Sequence, residues 1–173
     1  MIHFMIQFGR LKKMTRKYLN DRWCARCGRL TPTPYLVKNQ KLFPENGVVL
    51  DIGCGNGRNT NHLRLLGYSV DPIDMVDQPY SMQIVLGHDD LPQRRYDIIL
   101  ANYVLMFLDE NERSKVMYEI LDRAKENAIL MIEMYPAKDA HDYDFDEIVK
   151  FFLDRGWSKL RKSKDKCVLK FAV

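Results

Sequence analysis

Residues 48–60, VVLDIGCGNGRNT, constrain the fold more than any other stretch of the chain. A short apolar run of this kind reads as a buried strand. Gly53, Gly55 and Gly57 follow it within five positions. Glycine reaches positive φ and carries no Cβ, so the spacing predicts a sharp backbone turn that can lie close against a ligand. The next segment, NTNHLRLLG, has apolar residues at helical spacing and ends at Gly67, a helix stop signal. Strand, glycine turn and helix together open an α/β unit. The start of that helix would offer unpaired N–H groups to a negative group such as a carboxylate.

Strand and helix signals alternate from there on. YSVDPID reads as a second strand, MQIVLG as a third, and YDIILANYVLMFL begins as a fourth. Asp109 is placed to cap a helix over ENERSKVMYEILDRAKE, with Val116, Ile120 and Leu121 on one face. AILMIEM is a fifth strand. DFDEIVKFFLDRG is a helix with Ile148, Phe151 and Phe152 inward and Gly156 at its end. WSKLRKSKDKCVLKFAV reads as an antiparallel hairpin turning near Lys164–Asp165. The expected fold is α/β: a Rossmann-like, doubly wound, mostly parallel sheet with an antiparallel C-terminal hairpin strand. The links around 75–81 and 88–95 are too short for full crossover helices. In such sheets ligands bind outside the carboxyl ends of the strands, where the strand order reverses. DIGCGNG falls there if the first strand is central.

A dinucleotide site would show G-x-G-x-x-G. This chain has G-x-G-x-G, preceded by Asp51, which would suit a cationic ligand such as a sulfonium or an ammonium group. LDIGCGNGRNT resembles the first motif of class I S-adenosylmethionine-dependent methyltransferases. GCGNGRN, GYSVDPID and YDIILANYVLMFL resemble, in order and spacing, segments of the tellurite-resistance methyltransferase family, over about residues 46–135.

The resemblance implies a minimal class I methyltransferase fold. It also implies S-adenosyl-L-methionine as cofactor and S-adenosyl-L-homocysteine as product. It places Asp51, Gly53, Cys54, Gly55, Asn56 and Gly57 in the cofactor loop, with Arg58 reaching the methionine carboxylate. Asp74 would grip the ribose hydroxyls, since an ionised carboxylate can accept two donors at once, and Met75 would lie against the adenine. Asp89 would contact the adenine amino group, with Asp90 a near alternative. Asn102 and Tyr103 would lie near the methionine moiety and the methyl group. Tyr103 is the catalytic candidate, shaping the acceptor pocket. Residues 136–173 leave room only for a helix and a hairpin, less than that family carries, so tellurite chemistry does not follow.

The 173 residues bound one domain, read as a basic N-terminal arm or lid over 1–41 and a cofactor-binding domain over 42–173. Charge is uneven: residues 1–41 hold ten Lys or Arg against Asp21, and 156–173 hold six against Asp165. Two basic ends around an acidic body suit either RNA or DNA binding or a solvated face. Tyr18, Trp23 and Tyr35 interleave with Arg16, Lys17, Arg22, Arg26 and Arg29, a pattern that can stack bases; the reading preferred here is a lid.

Cys24 and Cys27 form one C-x-x-C, half of a zinc site that needs four ligands. No metal is therefore expected unless His3 or a partner chain completes it. Four cysteines in a well-cored chain suggest reduced thiols and a cytoplasmic setting. The apolar MIHFMIQF lacks a cleavage site and does not read as a signal peptide. No apolar run is long enough to span a membrane.

ANYV lacks the prolines of base-amino methylating enzymes, and no cysteine follows a proline as a cytosine-C5 nucleophile would. His62, His88, Glu133, Tyr135 and His141 lie on or near the expected catalytic rim. The function so read is methyl transfer from S-adenosyl-L-methionine to a small-molecule or nucleic-acid acceptor. The alternative is a non-catalytic cofactor-binding or nucleic-acid-binding module of the same fold.

Overall fold

The structure, a computed structural model, describes residues 31–135 and 143–172. Seven strands form one sheet: β1 (Val48–Ile52), β2 (Ser69–Asp74), β3 (Met82–Gln83), β4 (Tyr96–Asn102), β5 (Ala124–Glu133), β6 (Trp157–Ser163) and β7 (Lys166–Phe171). Their order across the sheet is β3-β2-β1-β4-β5-β7-β6. The first five run parallel, and β7 is antiparallel to both β5 and β6. The order reverses between β1 and β4, so the end of β1 does lie at the switch point.

The apolar alternation of the strands explains the two packed faces. Leu50 and Ile52 of β1 join one core cluster and Val49 the other. Helices α1 (Pro34–Asn39) and α2 (Arg58–Leu65) bury Leu36 and Leu63 on the Val49 face. Helices α3 (Glu110–Arg123) and α4 (Phe145–Leu153) bury Val116, Ile120, Ile148 and Phe152 on the other. Leu121 and Phe151 are only half-buried beside them. α3 starts where its capping signal lies: Asp109 accepts from Glu112 N at 2.9 Å, and the Glu112 side chain accepts from Asp109 N at 3.1 Å.

The expected antiparallel C-terminal hairpin is present. Both arms join the sheet, and β7 takes the inner place because Cys167, Val168 and Leu169 are buried there. β6 is exposed after Trp157, and its Lys159, Arg161 and Lys162 oppose pairing with another chain at that edge.

The expected third strand shrinks to two residues, and no helix stands in either flanking link. Ile84 N still bonds Asp74 O at 2.9 Å, and the chain then turns so that His88 N and Asp89 N both bond Val85 O. Leu91, 1% exposed, plugs the core there.

Residues 33–39, on the arm side of the expected boundary at 41/42, pack into the domain. Leu36 is fully buried, and Thr33 N bonds the Asn59 side chain at 2.9 Å. Among the described residues no helix is long and apolar enough to cross a membrane.

Candidate functional site

The glycine turn is tied to β2 before it meets α2. Gly53 N and Cys54 N both donate to Ile73 O, at 2.9 and 3.0 Å. Gly53, Gly55 and Gly57 all have positive φ, and Gly57 (φ 72°) is the N-cap of α2. The turn predicted from their spacing is therefore present. The room they leave, however, is used by the chain itself at two positions. A Cβ on Gly53 would lie 2.6 Å from Val104 Cγ2, and one on Gly57 would lie 3.1 Å from Tyr80 Cε2. Tyr80 also donates its hydroxyl to Gly55 O at 2.8 Å. Val104 and Tyr80 thus frame the turn, and a ligand lying on Gly57 would displace the Tyr80 ring.

Asp51 sits beneath this turn, 2% exposed. Thr60 of α2 donates its hydroxyl to Asp51 Oδ2 at 2.6 Å, and its backbone N–H adds a second bond. Asp51 thus accepts from the first turn of α2 through Thr60. Burial, with nearby Asp74 adding to it and the Thr60 bonds and Arg58 pulling the other way, leaves the Asp51 pKa raised to about 6. Burial likewise drives the Cys54 thiol far up, with Asp51 and Asp74 adding to it, so Cys54 is unreactive. Asn56 accepts from Arg58 N at 3.3 Å at the turn's outer side.

Across the turn, Asp74 closes β2. Its Oδ2 accepts from Gly55 N and its Oδ1 from Val76 N, each at 2.9 Å. A carboxylate offers about four lone-pair positions, so two further donors fit, as a pair of vicinal hydroxyls would supply. Met75 beside it is 44% exposed and presents an apolar surface. Asp89 is exposed and accepts from Val85 N at 2.8 Å, holding its own turn. Asp90 pairs with Lys115 of α3 at 3.1 Å.

On the other side of the reversal, Asn102 ends β4. It is 7% exposed, yet among the described residues neither its Oδ1 nor its Nδ2 has a partner. Leaving such groups unpaired costs about 1–3 kcal/mol each. A ligand carrying both donors and acceptors, such as an α-amino acid head group, would satisfy both atoms. Asp51, Asp74, the glycine turn and Asn102 therefore lie together at the carboxyl ends of the neighbouring strands β1, β2 and β4.

Beyond Asn102 the chain builds a second polar cluster. Tyr103 has φ 58°, a conformation that bulky residues rarely adopt and that costs about 1–3 kcal/mol. Its N–H bonds Glu133 O at 2.6 Å, and its hydroxyl donates to Glu133 Oε2 at 3.1 Å. Glu133 is fully buried at the end of β5. It also accepts from the Thr33 hydroxyl at 2.5 Å and from Lys166 Nζ at 3.2 Å. Lys166 donates to the Tyr103 hydroxyl at 3.3 Å and lies 5.7 Å from the Tyr35 ring centre. Tyr135, 55% exposed, stacks on Tyr103 with centroids 4.7 Å apart.

Burial, then Glu133, raises the Tyr103 pKa. Burial pulls Lys166 down, but Glu133 and Tyr103 hold it above the ordinary lysine value. Burial also pushes Tyr35 up to about 12, and its buried hydroxyl has no partner among the described residues.

Thr33, Tyr80 and Lys166 were not among the expected site residues. Only the β5–β7 register, which sets Glu133 opposite Lys166, reveals the ion pair. Of the rim histidines, His62 bonds Gln40 at 2.7 Å and His88 bonds Glu112 at 3.0 Å. His3, Tyr18, Trp23, Cys24, Cys27 and His141 lie outside the described residues. Among the described residues no three His, Cys, Asp or Glu are grouped to hold a metal ion.

A family model described as a methyltransferase domain matches residues 16–165. The chain belongs to the methyltransferase-domain family. Members use S-adenosyl-L-methionine as methyl donor, and the fold of this chain is that of the class I enzymes. TehB from Haemophilus influenzae superposes with a TM-score of 0.70 at 17% identity, over 89% of this chain and 67% of TehB. A TehB-like SAM-dependent methyltransferase from Corynebacterium glutamicum gives 0.66 at 19% identity, over 91% and 97%. The N-methyltransferase NodS from Bradyrhizobium japonicum, solved with S-adenosyl-L-homocysteine, gives 0.63 at 16% identity, over 91% and 97%. At these identities the likeness is one of fold. No curated protein sequence matches the chain.

Proposed function

We propose that this chain transfers a methyl group from S-adenosyl-L-methionine to a small-molecule acceptor held over the ends of β4 and β5. The observation that carries the reading is the buried Asn102 amide, which has no partner among the described residues and lies between the glycine turn and Tyr103 in the chain. It suits the amino-acid end of the donor, while Asp74 suits the sugar. The methyl group would then face Tyr103, whose ring pairs with exposed Tyr135 to make an aromatic wall.

Two further points support a small acceptor over a nucleic acid. The basic residues of β6 lie at the outermost strand, three places from β4 in the sheet. The fold neighbours include a Burkholderia thailandensis N1-methyltransferase with bound 1,6-didemethyltoxoflavin and S-adenosylhomocysteine.

Methyl transfer itself asks for alignment, because the sulfonium is already activated. Calorimetric titration with S-adenosyl-L-methionine and S-adenosyl-L-homocysteine tests the site. Wild type binds both, and Asp74→Ala and Asn102→Ala each weaken binding about tenfold or more, or about 1.4 kcal/mol. Unchanged affinity in both variants would remove this site from consideration.

A further inference from the structure

Two unfavourable features meet at the end of β4: a tyrosine held at positive φ and a fully buried carboxylate hydrogen-bonded to it. Fold stability does not explain the pairing, since apolar residues fill buried positions as well as or better than ion pairs. Backbone strain of this kind gathers where a side chain must be aimed. The three donors to Glu133 come from three separate segments, Thr33 before α1, Tyr103 after β4 and Lys166 on β7. The carboxylate is therefore locked, with one oxygen on the phenol.

The phenol oxygen donates to Glu133 and accepts from Lys166, and it has no other partner among the described residues. One lone pair remains for an incoming proton. The titratable groups around it are Glu133 from β5, Lys166 from β7, Tyr35 from α1 and Tyr135 after β5.

Resting on the methyl-transfer reading above, we propose that Tyr103 receives the acceptor's proton while passing its own to Glu133, so that the acceptors are amines or hydroxyl compounds. In that step the acceptor's nitrogen or oxygen lone pair forms the bond to the methyl carbon. The carbon–sulfur bond breaks and its electron pair stays on sulfur, leaving a neutral thioether. The acceptor's proton moves to Tyr103 Oη, and the former Tyr103 proton moves to Glu133 Oε2. The positive charge of the donor thus ends as a proton on Glu133. Once product leaves, that proton passes to solvent and the Glu133–Lys166 ion pair forms again.

A thiolate or other soft anion has no proton to give up and gains nothing from this relay. Tyr103 is the catalytic residue, because it touches the reacting acceptor. Glu133 and Lys166 are positioning residues that act through it.

The test uses the full chain with isotopically labelled S-adenosyl-L-methionine and three probes on one aromatic frame: benzylamine, catechol and thiophenol. Wild type is expected to label benzylamine or catechol in preference to thiophenol. Tyr103→Phe and Glu133→Gln should each lower kcat about 100-fold or more. Affinity for S-adenosyl-L-homocysteine, read by calorimetry without any acceptor, should stay within about twofold, which separates the relay from cofactor binding. Glu133→Gln should also erase the preference for benzylamine or catechol over thiophenol, which a purely structural role would leave in place.

Tyr103→Phe keeps the ring stack and serves if Glu133→Gln folds poorly. Preferred labelling of thiophenol, variant rates within about threefold of wild type, or no labelling of any probe by protein that binds the donor would each overturn the relay. Failure of wild type to bind the donor would instead overturn the methyl-transfer reading beneath it.

Discussion

Replacing Gly53 by alanine separates two costs that the structure sets at different sizes. The residue has φ +68°, and the new Cβ would lie 2.6 Å from Val104 Cγ2 and 2.9 Å from Val104 Cβ. The left-handed conformation costs a residue with a Cβ about 1–2 kcal/mol. Forcing a methyl group into occupied space adds about 1–3 kcal/mol. Gly53→Ala should therefore lose about 2–5 kcal/mol of stability.

Gly67 supplies the control, with φ +91° and nothing within 4 Å of an added Cβ. Gly67→Ala should cost the conformational part alone, about 1–2 kcal/mol. Val104→Ala removes the 2.6 Å contact and leaves the one at 2.9 Å, so it should recover part of the steric loss. The double-mutant cycle should show coupling of about 1 kcal/mol. Urea unfolding at equilibrium, followed by circular dichroism, measures wild type and all four variants. Equal losses in Gly53→Ala and Gly67→Ala, or additivity between residues 53 and 104, would refute the reasoning.

Asp51 sets a pH dependence whose sign can be stated. Its folded pKa, about 6, lies above the ordinary value of 3.8, so the folded state binds the proton more tightly than the unfolded chain does. Its contribution is most favourable below the unfolded value and falls away as pH rises through about 6, by about 3 kcal/mol as an upper bound. Asp51→Asn should lack that decline and be the more stable protein at pH above about 7; parallel stability curves for the two proteins across this range would count against it. The same residue bears on the donor: if Asp51 offsets a cationic group, calorimetric affinity for S-adenosyl-L-methionine should weaken as pH falls below about 6, and a flat profile would exclude that role. At the start of α3, Asp109→Ala removes one partner of the capping box and should cost about 1 kcal/mol in thermal or urea unfolding.

Much of this architecture was legible in order along the chain. The period of apolar residues marked β1, β2, β4, β5 and the helices α2, α3 and α4, because strand and helix impose different spacings on a buried face. Gly67 and Gly156 mark helix ends and carry positive φ in the structure. The Lys164–Asp165 turn and the Asp109 cap are local chemistry, and they stand where local chemistry put them.

β3 was overestimated because MQIVLG has a strand's composition, while the turn at Val85–Asp89 and the burial of Leu91 end it after two residues. The candidate site divided in the same way. Asp51, the glycines, Asp74 and Asn102 lie at the ends of three neighbouring strands, β1, β2 and β4, so a strand order was enough to gather them.

The sequence by itself determined where the backbone turns, which faces are apolar, and that an acid and three glycines stand at a strand end. These depend on interactions within a few residues of one another. Tertiary structure alone decided that Glu133 meets Thr33, Tyr103 and Lys166, residues separated from it by 100, 30 and 33 positions. It also decided that Val104 and Tyr80 are what Gly53 and Gly57 make room for. Such meetings depend on strand register and on the closing of long loops, quantities to which every packed layer contributes and which no short window of residues contains.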